Sequence, residues 1–414
     1  MEQHYTNTLT ADPESTMQDN IAALQQLIQR VKSQSPFWSK TLSDFNPNDI
    51  SDLLDFSKLP ILNKSELIDI QQAARPYGEL LDPRKTPVSR VYYSPGPLVE
   101  PVPGPGDDPW RVAPALKSNG FGPGDIVANC FSYHITPAGY LAECAATKLG
   151  CTVFPAGVGN VETILQAINY LGVNSYIGTP DFLRIIMEKA EMLGQPIKSL
   201  NKATVSGGPL FPELRQWYTD HQVRVRQAYI TADLGLIAYE TDGTTEGMLV
   251  ADDCLVEIVR PGTNKPVKDG EVGEVVVTTF SETFPLVRYA TGDLSAYIPD
   301  SEDKQVFGKR IKGWLGRADQ TTKVRGMFVH PRQVASVINR FTMIGKARVE
   351  VSANDGRDQL TFFCESSDHS NALAKRIEDV IRAECRLRGD VIFVAPQSLP
   401  NDGKIIDDKR AMGA

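Results

Sequence analysis

C-T-V-F-P-A-G-V-G-N-V-E-T-I-L-Q-A-I-N-Y-L-G-V-N-S-Y-I-G-T-P (151–180) reads as strand, helix, strand. C-T-V-F-P-A (151–156) and S-Y-I-G-T-P (175–180) are the strands, and V-E-T-I-L-Q-A-I-N-Y-L (161–171) is the helix between them. The same alternation extends both ways. Upstream, residues 111–130 give a helix, a Gly-rich turn and a buried strand, and 136–150 a helix with small residues on its faces. Downstream, a helix runs through Met192, and K-A-T-V-S-G-G-P-L (202–210) closes a strand on a Gly-Gly turn. Strands alternating with helices of about 10–15 residues predict an α/β fold with a parallel sheet and crossover helices.

The flanks read differently. Ile21, Leu24, Leu27, Ile28 and Val31 fall at helical spacing over 18–33, which predicts an amphipathic helix. K-L-P-I-L-N-K-S-E-L-I-D-I (58–70) reads as an extended entry and a helix capped near Asn63 or Ser65. V-Y-Y-S-P-G-P-L-V-E-P-V-P-G-P-G-D-D-P (91–109) starts as a strand, but its six prolines and three glycines predict an irregular loop. Beyond about 236, short strands divided by Gly, Asp and Pro predict an antiparallel β subdomain over about 237–312. After Pro331 a helix, two strands, a helix and a strand predict a small α+β unit. The expected division is an N-terminal domain at 1–316 and a C-terminal domain at 317–414.

At 414 residues and about 150 per domain, two or three domains are expected. The net charge of -8 argues against a nucleic-acid or membrane-surface binder. Six scattered Cys without a C-x-x-C pair fit reduced thiols in a cytoplasmic protein and no structural zinc. No signal peptide is legible at the N-terminus, and no run of about 18 apolar residues predicts a membrane span.

Four constellations can carry chemistry. G-W-L-G-R-A-D-Q-T-T-K-V-R-G-M-F-V-H-P (313–331) sets Arg317, Lys323 and Arg325 around Asp319, which suits an anion or simply makes a wet turn. In R-Y-A-T-G-D-L-S (288–295), Asp293 follows a strand and could accept from vicinal hydroxyls or from its own backbone. In Q-A-Y-I-T-A-D-L-G (227–235), Tyr229 could stack on a base and Asp233 could bind Mg²⁺, or the tyrosine could be packing. In N-D-G-K (401–404), Lys404 follows a tight turn, where it is either a deliverable cation or a solvated tail charge.

Together and in this order the four resemble the adenylate-forming superfamily of acyl-CoA synthetases, most closely the phenylacetate–CoA ligase branch. The resemblance runs from about residue 20 to the C-terminus and rests on T-G-D-L, G-R-A-D-Q-T-T-K-V-R-G, N-D-G-K, S-G-G-P-L (206–210) and Y-x-T-A-D-L-G. It implies ATP-dependent ligation of an aryl or arylacetic acid to coenzyme A through an acyl-adenylate, with Mg²⁺ and a mobile C-terminal domain. Its implied roles are as follows. Ser94, Gly96, Gly207, Gly208, Tyr229, Thr231, Asp293 and Arg317 bind nucleotide, and Asp233 faces Mg²⁺. Asp319 is the hinge, Lys323, Arg325 and Gly326 serve coenzyme A, and Lys404 is catalytic. Tyr133 and His134, with Gly208, lie where the family lines its acyl pocket, although core packing is an equal reading of that pair. The zinc site of some relatives is not expected, because the E-G-M-L segment lacks Cys and His. Relatives pair as dimers, which makes a homodimer an expectation from resemblance alone.

One stretch departs from the pattern. The family's phosphate loop is rich in Ser, Thr and Gly and ends in Lys, whereas S-P-G-P-L-V-E-P-V-P-G-P-G (94–106) carries prolines that cannot donate, and Glu100 where a cation would help. Arg90 and Arg111 are the candidate replacement cations. A non-catalytic or ATP-independent acyl- or nucleotide-binding member of the same fold is the alternative.

Overall fold

The described residues of the computed structural model are 13–94, 97–104, 106–241, 246–299, 309–318, 320, 322–354, 357–400 and 405–410. Of the expected site residues, Gly96, Asp319 and Lys404 lie outside them.

The repeating unit at 151–180 is part of a large sheet. Its strands are β1 (Ile126–Asn129), β2 (Thr152–Phe154), β3 (Ser175–Gly178), β4 (Lys202–Val205), β5 (Arg224–Thr231), β6 (Gly235–Tyr239), β7 (Met248–Val250) and β8 (Arg310–Ile311). The order across the sheet is β8-β7-β6-β5-β4-β3-β1-β2. From β2 to β5 every pairing is parallel. From β5 to β8 every pairing is antiparallel. The expected α/β class therefore holds. Part of the antiparallel region extends the large sheet rather than standing apart from it.

Burial explains the helices. On Val161–Leu171, Ile164, Leu165 and Ile168 are buried while Glu162 and Tyr170 face outward. Each such apolar side chain contributes about 1.5–3 kcal/mol on leaving water. Asn160 caps the first turn by accepting from the Thr163 N–H at 3.0 Å, and Gly172 ends the helix at φ 65°.

The chain order matters for the site. Strand β1 sits between β2 and β3, so the crossovers leaving β1 and β2 run to opposite sides of it. The carboxyl ends of β1 and β3 then border a topological switch point, where parallel α/β sheets hold their ligands.

A second sheet carries Leu62–Asn63, Tyr289–Ser295, Gly273–Thr279 and Cys254–Val259 in that order. The first pair is parallel, with Leu62 against Tyr289 and Asn63 against Ala290. Asn63 then begins the helix Lys64–Ala73, and its N–H donates to Glu66 Oε2 at 2.9 Å, as the capping reading expects.

Residues 91–101 correct the sequence reading. Val91–Ser94 and Leu98–Pro101 form an antiparallel hairpin, with Tyr92 against Glu100 and Ser94 against Leu98. Prolines tolerate strand ends and edges, where no ladder donor is needed. Pro101 closes its strand, so it does not prevent pairing.

The chain divides into two compact units, Met1–Leu210 with Arg215–Trp314, and Leu315–Ala414 with Phe211–Leu214. Within the second, Asp390–Val394, Arg357–Glu365, Ala347–Asn354 and Ile406–Asp408 form one sheet. Helices Pro331–Ile338 and Asn371–Cys385 pack with it through Val334, Val337, Ile377, Ile381, Val349 and Phe362.

Candidate active site

Parallel strands bring several of the expected residues to one end of the large sheet. Tyr133 and His134 follow β1, Gly207 and Gly208 follow β4, and Tyr229 and Thr231 end β5. Asp233 lies in the tight turn from β5 to β6. Trp110 clamps that turn, its indole N–H donating to Ala232 O at 3.2 Å while its carbonyl accepts from Leu236 N at 3.0 Å. Gly235 has φ 77°, and a Cβ there would stand 2.5 Å from Trp110 O. Only glycine fits. Gly235→Ala is accordingly expected to destabilise the first unit by about 1–3 kcal/mol, read as a lowered urea midpoint with an unchanged m-value.

The Asp233 side chain is 5% exposed and heavily engaged. Tyr289 Oη donates to its Oδ2 at 2.7 Å, and Lys64 Nζ stands 3.5 Å from the same oxygen. Burial alone would push its carboxyl up. The Lys64 charge and the Thr231 and Tyr289 hydroxyls outweigh that and hold it below the usual carboxylate range. Lys64 was not among the sequence candidates. It reaches the site because Leu62 and Asn63 pair with Tyr289 and Ala290, leaving Lys64 at the first helical position beside them.

Asp293 joins two other residues of the same unit. Tyr229 Oη donates to Asp293 Oδ2 at 2.7 Å, and Trp314 Nε1 donates to Oδ1 at 3.1 Å. An ionised carboxylate has about four lone-pair sites, more than the two donors named here fill. Trp314 was also missed, although it opens the charged stretch read at 313–331.

The hairpin sets Ser94 and Glu100 diagonally on one face, and Ser94 Oγ donates to Glu100 Oε1 at 2.9 Å. Burial, reinforced by the nearby Asp233 charge, pushes the Glu100 carboxyl up to about 8, against the pull of Lys64 and Ser94. The two arginines are both engaged by the protein itself. Arg111 donates to Asp253 O at 2.5 Å and Leu234 O at 2.7 Å. Arg90 stacks 3.8 Å over the Tyr140 ring. A cavity of about 470 Å³ beside Asp233 is lined by Arg30 and Arg111 but also by Asp108, Asp233, Asp253 and Glu282. Two cations against four carboxylates do not make a polyphosphate cradle. Lys64 is the cation that acts on Asp233 and Glu100.

Tyr133 is held by its own loop: Asn129 Nδ2 donates to its hydroxyl at 2.8 Å, and the hydroxyl donates to Glu143 Oε2 at 2.7 Å. Burial raises the phenol well above its usual range. His134 is exposed. Gly208 presents its carbonyl to Gln227 Nε2 at 3.5 Å, and Gly207 turns at φ 73°.

In the second unit, Thr322–Val324 pairs with Met327–Val329 across a two-residue turn of Arg325 (φ 47°) and Gly326 (φ 82°). Positive φ at both positions defines the type I′ hairpin turn. Arg325 is anchored, its N–H donating to Asp358 Oδ2 at 2.8 Å and its Nε to Asp358 O at 2.9 Å. Lys323 Nζ lies 5.8 Å from the Phe328 ring centre. Arg317 accepts a backbone bond from Gln320 N at 3.4 Å. Gln320 Oε1 accepts from Ile405 N at 2.8 Å, which ties the residue after Lys404 to the stretch after Asp319.

Residues 110–281 match the family described as AMP-binding enzyme. The chain is 27% identical to a phenylacetate–coenzyme A ligase of Aromatoleum evansii, over 89% of each chain. It is also 27% identical to the ligase of that name from Escherichia coli K12, over 99% of this chain and 100% of the other. In fold it is similar to 2-hydroxyisobutyryl-CoA ligase solved with 2-HIB-AMP and CoA, at TM-score 0.80 and 21% identity, over 98% of this chain and 91% of that one.

Proposed function

The chain belongs to the adenylate-forming superfamily, in its phenylacetate–CoA ligase-like branch, and from that premise we propose that it joins an aryl or arylacetic acid to coenzyme A. The reaction has two halves. The acid's carboxylate oxygen attacks the α-phosphorus of ATP, and pyrophosphate leaves. The thiol sulfur then attacks the acyl carbonyl carbon, its proton is lost, and AMP leaves with the bonding pair.

The observation that carries this reading is the paired constellation at the strand ends: Asp293 with Tyr229 and Trp314, and Asp233 with Lys64 and Tyr289. Asp293 accepts the ribose hydroxyls, and the face of Tyr229 receives the adenine. Ser94, Gly207, Gly208 and Thr231 line the nucleotide, and Arg317 contacts ribose and phosphate. Tyr133, His134 and Gly208 form the acyl end of the site. The family resemblance gives Lys404 the role of a cation that offsets the repulsion between carboxylate and α-phosphate. The Lys323–Gly326 hairpin serves the thiol step, Asp319 being the hinge between the two arrangements. Mg²⁺ bound at Asp233, a hard oxygen ligand, would neutralise triphosphate charge.

Lys64 takes the part of the loop cation. Lys64→Ala is expected to weaken ATP binding by roughly tenfold to a hundredfold, the worth of a charge-assisted bond at about 1.5–3 kcal/mol. AMP binding should change little. Calorimetric titration of both nucleotides checks this, and an equal loss for ATP and AMP would remove Lys64 from the phosphate role.

Mass spectrometry of reactions with ATP, coenzyme A and a panel of aromatic acids tests the reading as a whole. Acyl-CoA and AMP in equal amounts are expected. ADP in place of AMP, or no thioester from any acid, would sink it.

A further inference from the structure

Arg410 is 5% exposed, yet every N–H of its guanidinium has an acceptor. Nε donates to Asp408 Oδ1 at 2.8 Å. Nη1 donates to Lys323 O at 2.8 Å and to Asp358 Oδ1 at 2.9 Å. Nη2 donates to Thr322 Oγ1 at 2.9 Å and to Asp408 Oδ2. All these partners belong to the second unit. Thr322 and Lys323 lie on the first strand of the type I′ hairpin, Asp358 on Arg357–Glu365, and Asp408 ends Ile406–Asp408.

Asp358 carries the contact on to the turn. Its Oδ1 accepts from Arg410, its Oδ2 from Arg325 N at 2.8 Å, and its carbonyl from Arg325 Nε at 2.9 Å. Arg325 needs that support. Its φ of 47° lies in the left-handed region, where Asn, Asp or Gly is the ordinary choice and another residue persists only if its surroundings hold it there. Stability alone does not call for a buried arginine, since apolar packing of similar volume serves as well. A rigid fork that fixes three separate segments at once is what arginine adds.

We propose that Arg410 is a positioning residue for the thiol half of the reaction, holding the Lys323–Gly326 turn in the shape that binds coenzyme A. The role of that turn rests on the ligase reading above. The chain beside Lys404 has a tether of its own, from Ile405 N to Gln320 Oε1 at 2.8 Å. The loss of Arg410 should therefore fall on the thiol half and spare adenylation.

The test is calorimetric titration of coenzyme A into the full chain, without ATP or acid. Arg410→Lys keeps the charge but not the fork, and should weaken coenzyme A about tenfold or more. Asp358→Asn, which cuts the link to Arg325 and leaves Arg410 in place, should do the same. In the double variant the two losses should not add, because both act through one turn. Glu378→Gln, on the exposed face of Asn371–Cys385, should leave the affinity unchanged. Thermal midpoints show that each variant is folded, and Asp358→Asn carries the test if Arg410→Lys is not. With ATP and an acid present, the KM for coenzyme A should rise in step while pyrophosphate exchange stays close to wild type. Unchanged affinity in the folded variants, additive losses, an equal fall in pyrophosphate exchange, or no coenzyme A binding by wild type overturns the proposal. Arg410-dependent binding of coenzyme A in a chain that forms no acyl-CoA would count against the ligase reading and leave the positioning role standing. Acyl-CoA formed with an unchanged KM in Arg410→Lys would do the reverse.

Discussion

Lys404→Ala is expected to lower carboxylate-dependent adenylation by about 10²–10³-fold, the usual loss when one preorganised charge is removed from a developing transition state. The reason is electrostatic. A carboxylate approaching a triphosphate brings two anions together, and the cation between them acts most strongly where charge is transferred. The loss should therefore fall on the rate of adenylate formation more than on ATP affinity. It should also be confined to one half of the reaction. Supplied with preformed acyl-adenylate and coenzyme A, Lys404→Ala should form thioester at a rate close to wild type. Rapid-quench measurement of both halves separates the two. An equal loss in both would mean that the variant has disturbed the fold of the second unit and not one chemical step.

Arg288→Ala is expected to be the most damaging change to stability, at about 3–5 kcal/mol, because it strands a buried partner. Arg288 is wholly buried. It meets Glu257 through Nε at 2.9 Å and Nη2 at 3.1 Å, and donates from Nη1 to Ser57 O at 2.6 Å, to Asn264 Oδ1 at 2.9 Å and to Leu59 O. It thus fastens the turn before Leu62 to the second sheet, and through Leu62 and Asn63 it helps to place Lys64. Burial already pushes the Glu257 carboxyl above its ordinary value, against the opposing charge of Arg288. Without Arg288 the folded-state value should rise further. A carboxyl raised in the folded state contributes its stability fully below the unfolded value of about 4.3, and that stability is lost as pH rises through the folded value. The variant should therefore be less stable at pH 8 than at pH 5, with a steeper fall than wild type. Urea unfolding at both pH values measures it, and a pH-independent deficit would show that Glu257 is not the stranded group.

Some of this was legible in the sequence, and the reason is locality. Strands β1, β3 and β4 announce themselves because both faces of a parallel sheet are covered, so their buried runs are short and continuous between helices. The cap at Asn63 and Glu66 is a pattern three residues long. Tyr229, Asp233 and Asp293 could be picked out one by one, each from its own turn. Their joining could not. The Tyr229–Asp293 bond spans 64 residues, and the Lys64–Asp233 contact spans 169. Lys64 carries no local mark in the sequence, because its role comes from a strand pairing far along the chain. Trp314 lies only 21 residues from Asp293, yet its indole donor is silent in a pattern of glycines and charges.

The hairpin at 91–101 shows the opposite failure. Its prolines were read as excluding pairing, but Leu98, Val99 and Glu100 still alternate across a ladder. Glu100 was legible as the wrong charge in a phosphate loop. That it is buried, shares a face with Ser94 and feels the charge of Asp233 depends on the hairpin register and could not be read from composition.

Carboxylate-dependent exchange of labelled pyrophosphate into ATP, across a panel of aryl and arylacetic acids and with Lys404→Ala as the control, tests the central claim most directly. Exchange that requires an acid of this class and collapses in Lys404→Ala is the result expected of an acyl-adenylate ligase. No exchange with any acid, together with tight binding of AMP or an acyl-adenylate, would contradict it.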